Sequence, residues 1–219
     1  TSGLTRSLVP ASRLARGILP GYPLHWPDLD WIADPAFRAV LERFGEEKGY
    51  DVHRRFALRE LHRLADGVEG DTAECGVFKG CGSWIVCEAN RGTGRVHHGF
   101  DSFQGLSAPS GEHDGAYWAK GNLAVGKAEA ERALAEFGTA VRLYEGWIPS
   151  RFLEVADRAF SFVHVDVDLH DPTRDSLEFF WPRLSPGGVL VCDDYGFTTC
   201  PGATRAVNEF LGREGRPRM

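Results

Sequence analysis

Two short stretches carry an unusual load of carboxylates. Val165-Asp166-Val167-Asp168-Leu169-His170 and Cys192-Asp193-Asp194-Tyr195 each contain or follow an apolar run, which places acids at the edge of what reads as interior. Burying several like charges together is costly unless a cation compensates. A hard divalent ion meets that cost, and carboxylate oxygens with water and substrate oxygens suit Mg²⁺. The competing reading is that these acids cap the helices that follow. Asp171-Pro172-Thr173, with Pro near the first helical position, has that look, but it leaves four other acids on two neighbouring strand ends. In an extended chain residues two apart point the same way, so Asp166, Asp168 and His170 all face one crevice if strand geometry persists that far. Asp168 and His170 are then both candidates for the group that takes up a proton.

A second constellation is Glu74-Cys75-Gly76-Val77-Phe78-Lys79-Gly80-Cys81-Gly82-Ser83. Glycines at this spacing let backbone lie close to a ligand. The order Gly-x3-Gly-x-Gly differs from the Gly-x-Gly-x-x-Gly that sets a helix N-terminus against a pyrophosphate, so a ligand without phosphates fits better and a dinucleotide oxidoreductase is disfavoured. S-adenosylmethionine (SAM) is such a ligand. Its amino-acid end can meet the glycine turn and Ser83, and its ribose needs an acidic acceptor at the end of the next strand. Asp101 stands 25 residues beyond Gly76, and a carboxylate there can accept from two hydroxyls. Gly146 and Trp147 follow the third strand and could pack beside adenine. The plainer alternatives are a tight turn after a strand and a core tryptophan.

These side chains must be held by something. Apolar runs at Thr72 to Cys75, Val96 to Phe100, Ala140 to Tyr144, Phe162 to Val167 and Gly188 to Cys192 alternate with helical windows. Strands apolar on both faces and joined by helices predict an α/β, Rossmann-like fold: a mostly parallel, doubly wound sheet with helices on both faces. Such sheets bind ligands beyond the carboxyl ends of their strands. All five expected strands end in chemically pointed residues: Glu74 with Gly76, Asp101, Glu145 with Gly146, Asp166 with Asp168, and Asp193 with Asp194.

Ahead of the sheet, Ala36 to Lys48 and Val52 to Ala65 have helical spacing. Residues 1–35, with five prolines, Trp26 and Trp31, read as an N-terminal arm or lid, and 36–219 as the main domain. The arm is also a candidate homo-oligomer contact. A net charge of -6 offers no field for phosphate backbones, so no nucleic-acid partner is expected. No apolar run is long enough for a membrane span, and no signal peptide is evident. Five cysteines, an odd number without a Cys-x-x-Cys pair, read as reduced core thiols in a cytoplasmic protein. The expected partner is a small-molecule hydroxyl acceptor, with Leu106 to Asn122 either its lid or a surface loop.

Taken together, Glu74-Cys75-Gly76-Val77-x-x-Gly80, Asp101-Ser102-Phe103-x-Gly105-Leu106, Asp166-Val167-Asp168-Leu169, Pro182-Arg183-Leu184-Ser185-Pro186-Gly187-Gly188 and Asp193-Asp194-Tyr195-Gly196 resemble the macrocin O-methyltransferase family over roughly residues 50–212. The resemblance implies a SAM-dependent, Mg²⁺-dependent enzyme that methylates hydroxyls of sugars, often on natural products. By motif position it implies Asp166, Asp193 and Asp194 as metal ligands and Asp168 as general base. It places Glu74, Gly76, Gly80, Ser83, Asp101 and Ser102 on the SAM side. His170 stands where the family commonly has Tyr, which leaves imidazole open as a second base. The family fold ends in a further strand hairpin beyond the helix Ala203 to Leu211, and the chain is expected to lack it. A catechol- or phenol-type O-methyltransferase and a non-catalytic SAM-binding protein are the alternatives on the same fold.

Overall fold

A computed structural model describes residues 31, 34–47 and 51–213, and the chain forms two compact units, residues 1–52 and 53–219. Nearly all of the expected arm lies outside the described residues. In the first unit, α1 (Pro35–Phe44) starts where Asp34 accepts a hydrogen bond from the Ala36 N–H at 3.0 Å. Pro35 takes a first-turn position, where its missing N–H costs nothing. The helix ends earlier than its apolar spacing suggests because Gly45 turns left-handed and its N–H returns to Glu42.

Helix α2 (Asp51–His62) belongs to the second unit from His53 on and runs into a short 3-10 turn through Ala65. Five strands follow: β1 (Asp71–Cys75), β2 (His97–Asp101), β3 (Val141–Glu145), β4 (Phe160–Val165) and β5 (Leu184–Cys192). They alternate with α3 (Cys81–Ala89), α4 (Lys127–Leu134), α5 (His170–Phe180) and α6 (Pro201–Leu211). Every strand pair is parallel and the order is β3-β2-β1-β4-β5. The chain therefore begins at the centre, moves out one way, then returns to lay β4 beside β1. That reversal opens a crevice between the carboxyl ends of β1 and β4.

All expected strands are present with shifted ends, and one expectation needs correction. The central strands are not apolar on both faces. Side chains alternate along a strand, and one face collects Ala73, Cys75, Phe100, Phe160, Val163 and Val165 with Phe152 and Phe180. The other collects Phe162, Val189 and Val191 against Leu58, Ala65 and Val86, but sets among them the buried polar residues Thr72, Glu74, His97 and His164. All five cysteines are free thiols. No described helix is long and apolar enough to cross a membrane.

Candidate active site

The sheet delivers the acids in pairs to one place. The N–H of Asp166, first residue past β4, donates to the Cys75 carbonyl at 2.9 Å, and that of Asp193, first past β5, donates to Val165 at 2.9 Å. Parallel pairing thus continues just beyond the strands and sets the two carboxylates side by side, with Asp194 next in line. Into this group reaches Arg54 from α2. Its Nη2 stands 2.8 Å from Asp166, 3.4 Å from Asp194 and in closer contact with Asp193, whose Oδ2 also accepts from Nε at 2.6 Å. Arg55 adds a second guanidinium 3.5 Å from Asp166.

Electrostatics divide the acids. Burial, then repulsion from Asp193, raises the pKa of Asp166; burial with Asp166 and Asp168 raises Asp194 well above the carboxylate range. Burial pushes Asp193 the same way, but His164 and Arg54 more than offset it and its pKa falls. His164 is correspondingly raised to about 10: burial opposes its charge, and Asp193 and Glu74 restore it. The site thus holds a cationic imidazole and a guanidinium against carboxylates whose mutual repulsion is only partly relieved.

Asp168 sits on a tight turn beside these acids. Its φ is +61°, a left-handed conformation that strains a non-glycine residue. The turn is closed by the Leu169 N–H donating to Val167 at 2.6 Å and by the Asp168 N–H donating to Asp194 at 2.8 Å. Burial and the Asp166 charge raise its pKa to about 7, and its Oδ1 lies 3.5 Å from the Cys200 sulfur.

The turn overturns one expectation. β4 ends at Val165, so strand alternation does not carry on to His170, which becomes the first residue of α5. There its ring is buried between two acids, Nδ1 2.9 Å from Asp171 and Nε2 3.1 Å from Glu209 of α6. With both nitrogens engaged, His170 clamps helices and is not placed with the acid cluster. Asp114, from the loop 106–122, accepts the His170 N–H at 2.7 Å, while Trp118 of that loop donates to the Cys200 sulfur at 3.4 Å. The loop is therefore pinned beside Asp168 through Trp118 and Cys200, although Tyr117 is exposed.

The glycine turn lies across the crevice. A Cβ on Gly76 would fall 1.8 Å from the Asp166 carbonyl, and one on Gly82 2.1 Å from Glu74 Oε1, so these glycines permit close approach within the protein itself. Gly80 opens α3 in a left-handed conformation. Asp101 ties the turn down: Oδ2 accepts the Val77 and Phe78 N–H groups at 2.8 and 2.9 Å, and Oδ1 accepts that of Phe103 at 2.7 Å. Of about four lone-pair sites on a carboxylate, roughly one is left for a ligand. Ser102 is buried and donates to the Gly105 carbonyl. Gly146 donates its N–H to the Asp101 carbonyl, and Trp147 beside it is partly exposed.

Glu74 and Ser83 differ from the expectation that they face a ligand. Both are buried beneath the turn; the Ser83 hydroxyl donates to Glu74 Oε2, and Glu74 Oε1 meets His164 Nδ1 at 2.8 Å. They belong to a polar chain that the sequence reading missed. His62 Nε2 meets Asn90 at 3.1 Å, Asn90 donates to Thr72 at 2.8 Å, and Thr72 meets His97 Nδ1 at 3.0 Å. His97 Nε2 then meets Ser83 at 3.1 Å. One proton assignment satisfies every link, each donor facing Glu74 in turn, with His97 neutral. Burial, which lowers the His97 pKa to about 4, agrees with that. From Glu74 the chain passes to His164 and, across a 3.8 Å ion pair, to Asp193. Alternating polar residues in Thr72-Ala73-Glu74, with His97 and His98 in β2 and His164 in β4, were the available signal.

Comparison with known proteins agrees with this architecture. The model of the family described as Macrocin-O-methyltransferase (TylF) matches residues 53–216. The 8-demethyl-8-(2,3-dimethoxy-alpha-L-rhamnosyl)-tetracenomycin-C 4'-O-methyltransferase of Streptomyces olivaceus is 32% identical over 69% of this chain; the chain spans 62% of that relative. The mycinamicin III 3''-O-methyltransferase of Micromonospora griseorubida is 28% identical over 84% of this chain and 80% of its own. Among solved structures, the O-methyltransferase NovP has a TM-score of 0.58 at 27% identity, covering 73% of this chain and 71% of its own. A calicheamicin methyltransferase has a TM-score of 0.66 at 22% identity, covering 84% of each chain, and shares the fold. The chain belongs to the macrocin O-methyltransferase family and has the Rossmann-like fold of SAM-dependent O-methyltransferases.

Proposed function

We propose that this chain transfers a methyl group from SAM to a hydroxyl of a sugar or a glycosylated natural product, with a divalent metal at Asp166, Asp193 and Asp194. The observation that carries the reading is the convergence of those three carboxylates on one cationic nitrogen, Nη2 of Arg54, next to Asp168. A site that already gathers three oxygen donors around a cation has the donor chemistry of Mg²⁺. Relatives named as methyltransferases of rhamnosyl and mycinamicin substrates support the acceptor class.

A sugar hydroxyl is a poor nucleophile because its pKa lies far above 7, so its proton must be removed as the bond to carbon forms. When bound, the metal would supply Lewis-acid stabilisation of the acceptor oxygen as charge develops, and SAM would supply the sulfonium methyl. Asp168 takes the proton on a carboxylate oxygen. Its buried, strained turn holds that carboxylate beside the three acids, and a pKa near neutrality suits a base working near pH 7. Asp101 fixes the Val77–Phe78 backbone, against which SAM would lie, and keeps one accepting position that would take a ribose hydroxyl, while Trp147 would offer a ring to adenine. Trp118, pinned to Cys200 beside Asp168, forms one wall for the acceptor. The methyl's bond to sulfur would break as that to oxygen forms, releasing the neutral thioether, and the remaining barrier would fall chiefly through holding oxygen, methyl carbon and sulfur in line. The free thiols are in keeping with the cytoplasmic setting this reading assumes.

Incubation with SAM, Mg²⁺ and a panel of glycosylated and phenolic acceptors, read by the mass gain of one methylene unit per transfer, tests the proposal. Gain on sugar hydroxyls is expected. Transfer to phenols alone would move the chain to the catechol-type class, and SAM binding without transfer to any acceptor would leave a binding protein.

A further inference from the structure

Arg54 occupies the centre of the acid cluster, and its chemistry is incompatible with a second cation there. A guanidinium has five N–H donors, no acceptor, and keeps its charge, so it cannot be a ligand. It takes lone pairs on Asp166, Asp193 and Asp194, the three carboxylates on which the metal reading depends. Without a cation the three buried acids would repel one another, which explains why the fold supplies one.

We propose that Arg54 is a resident counter-cation that closes the acid pocket in the metal-free protein and must withdraw when a divalent ion enters. Metal binding is then an exchange of one cation for another, and the affinity measured is the difference between them. The inference rests on the metal reading above and specifies its regulation.

The surroundings allow the exchange. The Arg54 side chain is partly exposed, and its guanidinium lies 5.4 Å from the ring centre of Phe197, an exposed aromatic face that can hold a displaced guanidinium. Asp193 keeps His164, and Asp166 keeps Arg55, so neither acid loses all its charge partners when Arg54 leaves.

The test is calorimetric titration of chelator-treated protein with MgCl₂, combined with thermal unfolding in its absence, on the wild type, Arg54→Gln and Arg55→Gln. Arg54→Gln is expected to bind Mg²⁺ about tenfold more tightly, the scale of one charged contact no longer competed away, and to unfold at a lower temperature without metal. Arg55→Gln, which removes an equal charge near Asp166, is expected to gain less than about threefold. Equal gains from the two variants would reduce the effect to general charge and overturn the exchange. Equal or weaker binding by Arg54→Gln, with the wild type binding normally, would make Arg54 a support of the bound metal and overturn the proposal while leaving the metal reading intact. Binding by the variant alone would support the exchange most strongly. Silence from every protein would remove the metal reading and this inference with it. Should Arg54→Gln fold only with Mg²⁺, Arg54→Lys, a point charge that cannot fork across three acids, is expected to gain several-fold, and no gain would overturn the proposal.

Discussion

On one face of the sheet Phe180 touches Phe100, Phe152, Phe160 and Phe179 edge-on or tilted, with ring centroids 4.9–5.9 Å apart. On the opposite face, carried by the same strands, Thr72, Glu74, His97 and His164 form a polar chain of comparable depth. The first face needs only volume and shape, since its attraction is non-directional. The second works only if each donor meets an acceptor, because an unmatched buried group costs about 1–3 kcal/mol. The difference separates two tasks: the aromatic face supplies cohesion, and the polar face fixes the angle and charge of groups that end at Asp193 and Arg54.

That division predicts opposite signatures. The largest effect is expected from Asp168→Asn, which should lower kcat by about 10² to 10⁴ while leaving the unfolding temperature unchanged or higher, since a crowded buried charge is removed. His170→Phe should cost far less turnover and more stability, because His170 bridges α5 and α6. A larger loss of kcat in the His170 variant would reverse the assignment. On the aromatic face Phe180→Ala should lose about 3–5 kcal/mol of stability by denaturant unfolding, with kcat per folded molecule nearly unchanged; a selective loss of kcat would blur the two faces into one.

A smaller and more pointed effect lies in pH. His164 has a folded pKa raised to about 10 against an ordinary value of 6.5. The folded state therefore keeps a proton that the unfolded chain gives up, so the stabilisation is complete below about pH 6.5 and fades as pH rises toward 10. Its size is on the order of a few kcal/mol at most. Unfolding temperatures measured between pH 6.5 and 10 should fall more steeply for the wild type than for His164→Gln, and equal slopes would detach His164 from the acid cluster.

Much of this was readable in the chain. Strand ends loaded with acids and glycines marked the crevice, because in a parallel sheet every carboxyl end points the same way. Three things were hidden. The polar chain was hidden because Thr72, Glu74, His97 and His164 sit at alternate positions inside short runs that their apolar neighbours dominate. The place of His170 was hidden because a single left-handed residue, Asp168, breaks the strand and starts a helix. Arg54 was hidden because 112–140 residues separate it from the acids it meets, and an arginine on an amphipathic helix ordinarily reads as a solvated face. Asp101 shows a fourth case. Its type was informative, but three backbone N–H groups already hold it, so its replacement should loosen the glycine turn as well as ligand binding.

On the proposed reading, the polar face ends at an acid cluster whose methyl transfer depends on a divalent ion. That dependence is tested most directly by following SAM consumption with a glycosylated acceptor in excess chelator, then after Mg²⁺ is restored. Turnover that disappears in chelator and returns with Mg²⁺ is the expected result, and full turnover in chelator would remove the ion from the reaction.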